Sequence, residues 1–184
     1  MTSLTGQLLI AMPQMGDPRF ARSVIYLCEH SPEAGAMGLI INKAIDNLTT
    51  DELYAQLKIE TAASAAGPVH FGGPVATGHG FVLHSLDYEE KETRRVGGEF
   101  AMTATLDILR AKAKGEGPRL SLVALGYAGW GPGQLEAEIG ENAWLSVAAD
   151  TALVFDADND AKWQRALAKL GVSPEMLSGE SGRA

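Results

Sequence analysis

The residues best equipped for chemistry in this chain stand together as Cys28-Glu29-His30. A cysteine becomes a nucleophile or redox sensor when an imidazole or a helix N-terminus lowers its pKa. In a strand, alternate side chains share a face, so Cys28 and His30 would be neighbours while Glu29 points away. The competing reading makes Cys28 a small buried hydrophobe, a common fate of free thiols. Histidines 30, 70, 79 and 84 show neither the i, i+4 helical spacing nor a CxxC partner. No metal or other cofactor is therefore expected. No G-x-S-x-G elbow is present either.

A second candidate is LGYAGWGPGQLEAE, Leu125 to Glu138, where an apolar run meets a glycine-rich corner and then a helical pattern. Nucleotide folds place phosphate at such corners, where free backbone N–H groups and the helix dipole meet the anion. The letters argue against that here. The dinucleotide pattern needs glycine at 134 or 136, where Gln134 and Glu136 stand, and a P-loop from Gly126 needs lysine where Pro132 stands. Glu136 and Glu138 also bring negative charge to the helix start. What remains is a stiff corner. Its Tyr127 and Trp130 either plug the core or line a cleft.

The elements that must hold these residues follow from pattern. Gly6–Pro13, Ser23–His30 and Gly38–Lys43 are apolar or β-branched runs separated by turn residues, so they predict strands. Thr49 with Glu52 forms a capping box that opens a helix. Ala62–Gly67 predicts an exposed loop. Val69–Val75 and Gly80–Ser85 predict short strands about a glycine turn, and Asp87–Gly98 a charged surface excursion. A helix is expected over 103–114, a strand over 119–127, a helix over 133–141, and strands over 144–150 and 152–156. The clearest helix is 159–170, with Trp163, Ala166, Leu167 and Leu170 on one face. Residues 1–5 and 178–184 are expected to fray. Early strands followed by alternation with helices favour a mixed α+β domain spanning the chain.

Composition sets the outer bounds. At 184 residues, with 46% hydrophobic and 21% charged, the chain can bury a core without staples. A net charge of −8 opposes the phosphate backbone as a partner, so direct nucleic-acid binding is not expected. A single cysteine, no secretory signal and no apolar run of membrane length together predict a cytoplasmic protein with no membrane partner.

The blocks LLIAMPQMGDPRFARSVIYLCEH, GLIINK, FGGPV, GFVLHS and LGYAGWGPGQLEAEI…NAWL, in this order, resemble the bacterial YqgE/AlgH family. The likeness runs from Gly6 to about Leu177. It implies a single domain whose strongly bent mixed sheet curls into a partial barrel flanked by helices. It implies no particular reaction, and some members carry the label of transcriptional regulator. One departure is Ala44, where the family block ends in proline.

Function collects at turns held by a rigid scaffold. Asp17, Arg22, Glu29, His30, Asn42, His84, Tyr127 and Trp130 lie in or near turns or strand ends. The expectation is that the Gly16–Arg22 turn, the Gly72-Gly73-Pro74 turn and the Gly126–Gly133 corner converge on one cleft. Tyr127 and Trp130 would then contact a small molecule or protein, with Gly72, Gly73 and Pro74 as the floor. With no complete catalytic constellation, a non-enzymatic binding or regulatory protein is the leading reading. An enzyme or thiol-based redox sensor using Cys28 and His30, and a transcriptional regulator, are the alternatives.

Overall fold

In the computed structural model, which describes residues 2–61 and 67–181, ten strands join one curled sheet that forms a half-barrel. Strands β1 (Gln7–Ala11), β2 (Val24–Ser31) and β3 (Gly35–Ile40) form an antiparallel meander. β10 (Trp144–Ala148) closes its outer side against β1. The meander joins the rest of the sheet through β9 (Ser121–Trp130). Beyond β9 lie β6 (Val75–His84), β8 (Ala101–Thr103) and the two-residue β7 (Arg94–Arg95). β4 (Ala44–Thr49) pairs with β5 (Pro68–Phe71), and β5 is the one strand running parallel to β9.

The first strands are continuous apolar runs because both of their faces are covered. Leu8, Ile10, Val24 and Tyr26 pack into a cluster with Leu153, Val154, Trp163, Ala166 and Leu167. Those partners come from α4 (Thr151–Val154) and α5 (Asn159–Lys169). Leu9, Ala11, Ile25 and Leu27 point the other way, onto Leu135 of α3 (Gln134–Gly140). A third cluster sets Val82 and Val123 against α1 (Thr50–Gln56) and α2 (Leu106–Ala113). Full burial of such side chains is worth about 1.5–3 kcal/mol each. The two-faced strands are thus what holds the half-barrel shut.

The capping box at Thr49 and Glu52 forms as the spacing requires. Other expectations need correction. Residues 152–156 are not a strand: the Asp150 carboxylate accepts the Leu153 N–H and starts α4. The helix expected from 103 begins at Leu106, because Ala101–Thr103 pair with β6 as β8. Leu170, which follows the last residue of α5, is exposed, while Lys162 within it is fully buried. The Lys162 ammonium donates to the carbonyls of Ile41 (2.8 Å) and Val154 (2.9 Å), so its charge is solvated by backbone. Ser3 and Leu4, in the stretch expected to fray, are hydrogen-bonded to His30. A last helix, α6 (Pro174–Ser181), takes in part of the expected tail. Most of the loop expected over 62–67 lies outside the described residues.

The glycine corner differs most. β9 runs straight through it to Trp130. Gly126 takes a left-handed φ of +79°, and the register with β6 shifts between Val75↔Tyr127 and Gly80↔Leu125. Before the shift, Leu122 and Ala124 face the α4–α5 cluster; after it, Tyr127 does. The register thus slips by three residues, and an odd slip exchanges the faces of every following side chain. Ala128 and Trp130 consequently turn toward α3.

Candidate functional site

The turn after β1, the turn before β6 and the end of β9 do meet. They border a cleft of about 430 Å³ whose walls include Asp17, Phe20, Pro74, Trp130, Glu138 and Trp144. That volume lies within the range of small-molecule sites.

Each wall is fixed by local chemistry. Asp17 folds its own turn: its side chain accepts the Arg19 N–H at 3.0 Å, and its carbonyl accepts the Phe20 N–H at 2.9 Å. Such turns are what aspartate supplies. The Arg19 guanidinium pairs with the same carboxylate at 2.7 Å and holds its pKa below the usual range. Phe20, swung inward, meets the Trp144 ring edge-on at 5.9 Å. Trp130 meets Trp144 in the same manner at 6.0 Å.

Glu138 organises the far wall. Its Oε1 accepts the indole N–H of both Trp130 (3.0 Å) and Trp144 (2.9 Å), and its Oε2 accepts the Gln134 amide at 2.9 Å. The Gln134 oxygen in turn accepts the Gly131 N–H at 3.0 Å, tying the corner to α3. The helical i, i+4 spacing of Gln134 and Glu138 makes this ladder possible. The lining thus combines aromatic walls with a carboxylate, an amide and an ion pair already satisfied by one another. Such a site can orient a ligand, and its lining holds no nucleophile–base pair. Among the described residues, no group of three His, Cys, Asp or Glu could hold a metal ion.

The other residues singled out from sequence fall elsewhere. Gly72 and Gly73 are not the floor. An added Cβ would meet the Gly126 carbonyl oxygen at 2.3 Å from Gly72, and the Tyr127 carbonyl carbon at 2.1 Å from Gly73. They let two backbones touch behind the cleft. Tyr127, on the opposite face from Trp130, packs edge-on against Phe81 at 5.9 Å. The shared aromatic platform is therefore corrected to Trp130 with Phe20 and Trp144.

Asn42 is a brace, accepting the Val24 N–H and donating to the Arg22 carbonyl, both at 2.9 Å. The Arg22 guanidinium lies over the Trp163 ring, 4.1 Å from its centre. Glu29 is exposed and paired with Arg94. His84 is wholly buried between the Ser85 carbonyl and the Thr103 hydroxyl. His30 accepts the Leu4 N–H on Nδ1 (2.9 Å), so its Nε2–H donates to Glu136 (2.8 Å).

Cys28 and His30 do not form a pair. A bulge between Leu27 and Glu29 breaks the alternation, and Cys28 Sγ points back to the Tyr26 carbonyl. Burial pushes the thiol up to about 12, the reverse of what a reactive thiolate needs. The enclosed thiol gives the reactive-thiol reading no support.

A half-barrel of mixed topology, with a cleft where its turns meet α3, defines a single-domain α/β scaffold. The chain belongs to the AlgH-like family, whose model matches residues 8–175. It is 55% identical to a UPF0301 protein of Ruegeria pomeroyi, over 98% of this chain and 99% of the relative. Identity to a UPF0301 protein of a Jannaschia species is 56%, over 98% and 95%. Among solved structures it is similar to the AlgH protein of Pseudomonas aeruginosa, with a TM-score of 0.79 and 44% identity. That match covers 100% of this chain and 97% of the other. A Corynebacterium diphtheriae protein shares the fold at 21% identity, with a TM-score of 0.76, over 97% and 93%.

Proposed function

We propose that this chain is a non-catalytic binding protein whose ligand occupies the cleft between Phe20, Trp130 and Trp144. The observation that supports it most is the convergence of three sequence-distant turns around one cavity of ligand size. The lining favours a small molecule or protein segment with an apolar, flat portion, because aromatic walls gain most from such contacts. No helix among the described residues is long and apolar enough to cross a membrane, which is in keeping with a cytoplasmic placement. Net charge speaks against direct DNA contact. Regulation, where it occurs, would then run through the bound ligand or partner. The test is retention of small molecules from fractionated cell extract by wild type and by Phe20→Ser, which opens one wall and loses the edge contact with Trp144 but removes none of the hydrogen bonds to Glu138. A compound kept by the wild type and lost from the variant supports the proposal. Identical retention profiles contradict it.

A further inference from the structure

A second pocket, of about 290 Å³, shares no lining residue with the cleft. Its walls come from α1 (Tyr54), β5 (His70), α2 (Lys112), β9 (Ser121) and the segment entering α5 (Phe155, Asn159).

The charge arrangement here is unusual. The half-buried Lys112 ammonium donates to the Ser121 hydroxyl. Among the described residues it has no carboxylate within ion-pair distance. The one acid in the lining, Asp156, is already engaged by Arg165 at 3.0 Å and by the Asp158 N–H at 2.7 Å. His70 supplies no counter-charge. Its Nδ1–H donates to the Val123 carbonyl at 3.2 Å, and its Nε2 meets the Asn159 amide group. Burial and the Lys162 ammonium hold its pKa at about 4, so the ring is neutral near pH 7. A desolvated cation is normally paired. In a chain of net charge −8, this one faces an open pocket with the aromatic side chains of Tyr54 and Phe155 in its walls.

We infer that this pocket binds a small organic acid, with its carboxylate on Lys112 and Ser121 and its carbon body against Tyr54 and Phe155. The ammonium has unused N–H donors, and a carboxylate would complete both its hydrogen bonds and its charge. The apolar walls give an organic acid an advantage over inorganic phosphate, which has nothing to place against them.

The experiment measures thermal shift and calorimetric binding with three probes: benzoate, its uncharged analogue benzamide, and inorganic phosphate. Benzoate should bind saturably and raise Tm; benzamide and phosphate should bind more weakly. Lys112→Met should weaken benzoate binding by roughly tenfold or more, as the loss of a charge-assisted hydrogen bond requires. Without ligand, Lys112→Met should be at least as stable as wild type, because it removes a desolvated, unpaired charge. Ser121→Ala, a smaller change, should weaken benzoate in the same direction. No benzoate binding, equal binding by wild type and Lys112→Met, or tighter binding of phosphate would each overturn the inference.

Discussion

Trp130 and Trp144 donate their indole N–H groups to one and the same oxygen, Glu138 Oε1, at 3.0 and 2.9 Å. Both rings are nearly buried, at 7% and 2% exposure, so neither donor has water as a ready substitute. Glu138→Ala would leave both unsatisfied. A buried donor without a partner costs roughly 1–3 kcal/mol, so urea unfolding should show a loss of about 2–4 kcal/mol. Glu138→Gln keeps a carbonyl oxygen for the indoles and should lose about 1 kcal/mol. An alanine variant within about 0.5 kcal/mol of wild type would mean the shared acceptor holds nothing in place.

Gly126 exchanges the faces of β9, and only glycine suits it. Its φ is +79°, and a Cβ there would sit 2.3 Å from the Gly73 carbonyl oxygen. Left-handed backbone costs a non-glycine residue about 1–2 kcal/mol, and overpacking adds about 1–3. Gly126→Ala should therefore destabilise by about 3 kcal/mol or more in chemical denaturation. Gly78→Ala, whose Cβ meets nothing within 4 Å, is the control and should stay within about 0.5 kcal/mol.

Acid sensitivity follows from His70. Its pKa is about 4 when folded, against 6.5 for the free side chain, because burial disfavours the charged ring. Between those values the unfolded chain binds a proton that the folded chain refuses. Stability is thus full above pH 6.5 and falls as pH drops toward 4, by on the order of 3 kcal/mol from this group. Burial lowers the pKa of His84 as well, so the two slopes add. His70→Gln should unfold with a shallower dependence on pH across that window. An unchanged slope would mean His70 does not titrate as its surroundings dictate.

Cys28 should be inert in the folded chain. At pH 8, a thiol raised to about 12 by burial has little thiolate to offer, and its exposure is 2%. A disulfide reagent should leave the native protein unlabelled and take up one equivalent after unfolding, matching the single cysteine. Rapid labelling of the native state would restore the redox reading.

The half-barrel was legible because the family blocks cover nearly the whole chain and because strands such as Gln7–Ala11 are apolar throughout. The convergence of the three turns was legible from their glycines and polar residues. The identity of the inner wall was not. Face assignment after Gly126 depends on a backbone shift that leaves no period in the sequence. Tyr127 and Trp130 consequently looked like partners. Phe20 has no sequence signal of its own, being one aromatic in a polar turn that Asp17 shapes. Lys112 has no signal in the sequence, because its Ser121 partner lies nine residues on, where β9 begins. The helix at 151–154 rests on the Asp150 cap rather than on periodicity, so an apolar run there passed for a strand.

The central claim, a ligand in the Phe20–Trp130–Trp144 cleft, has a built-in reporter. The chain has three tryptophans. Two put their indole N–H groups in the cleft wall, and the third, Trp163, donates its own to the Ala11 carbonyl at 2.8 Å inside the core. Proton–nitrogen NMR spectra recorded against a metabolite library should show compounds that move the Trp130 and Trp144 indole signals while Trp163 stays still. Phe20→Ser should weaken that response. Compounds that bind yet leave both cleft indoles unmoved, or a library with no response there at all, would contradict the account.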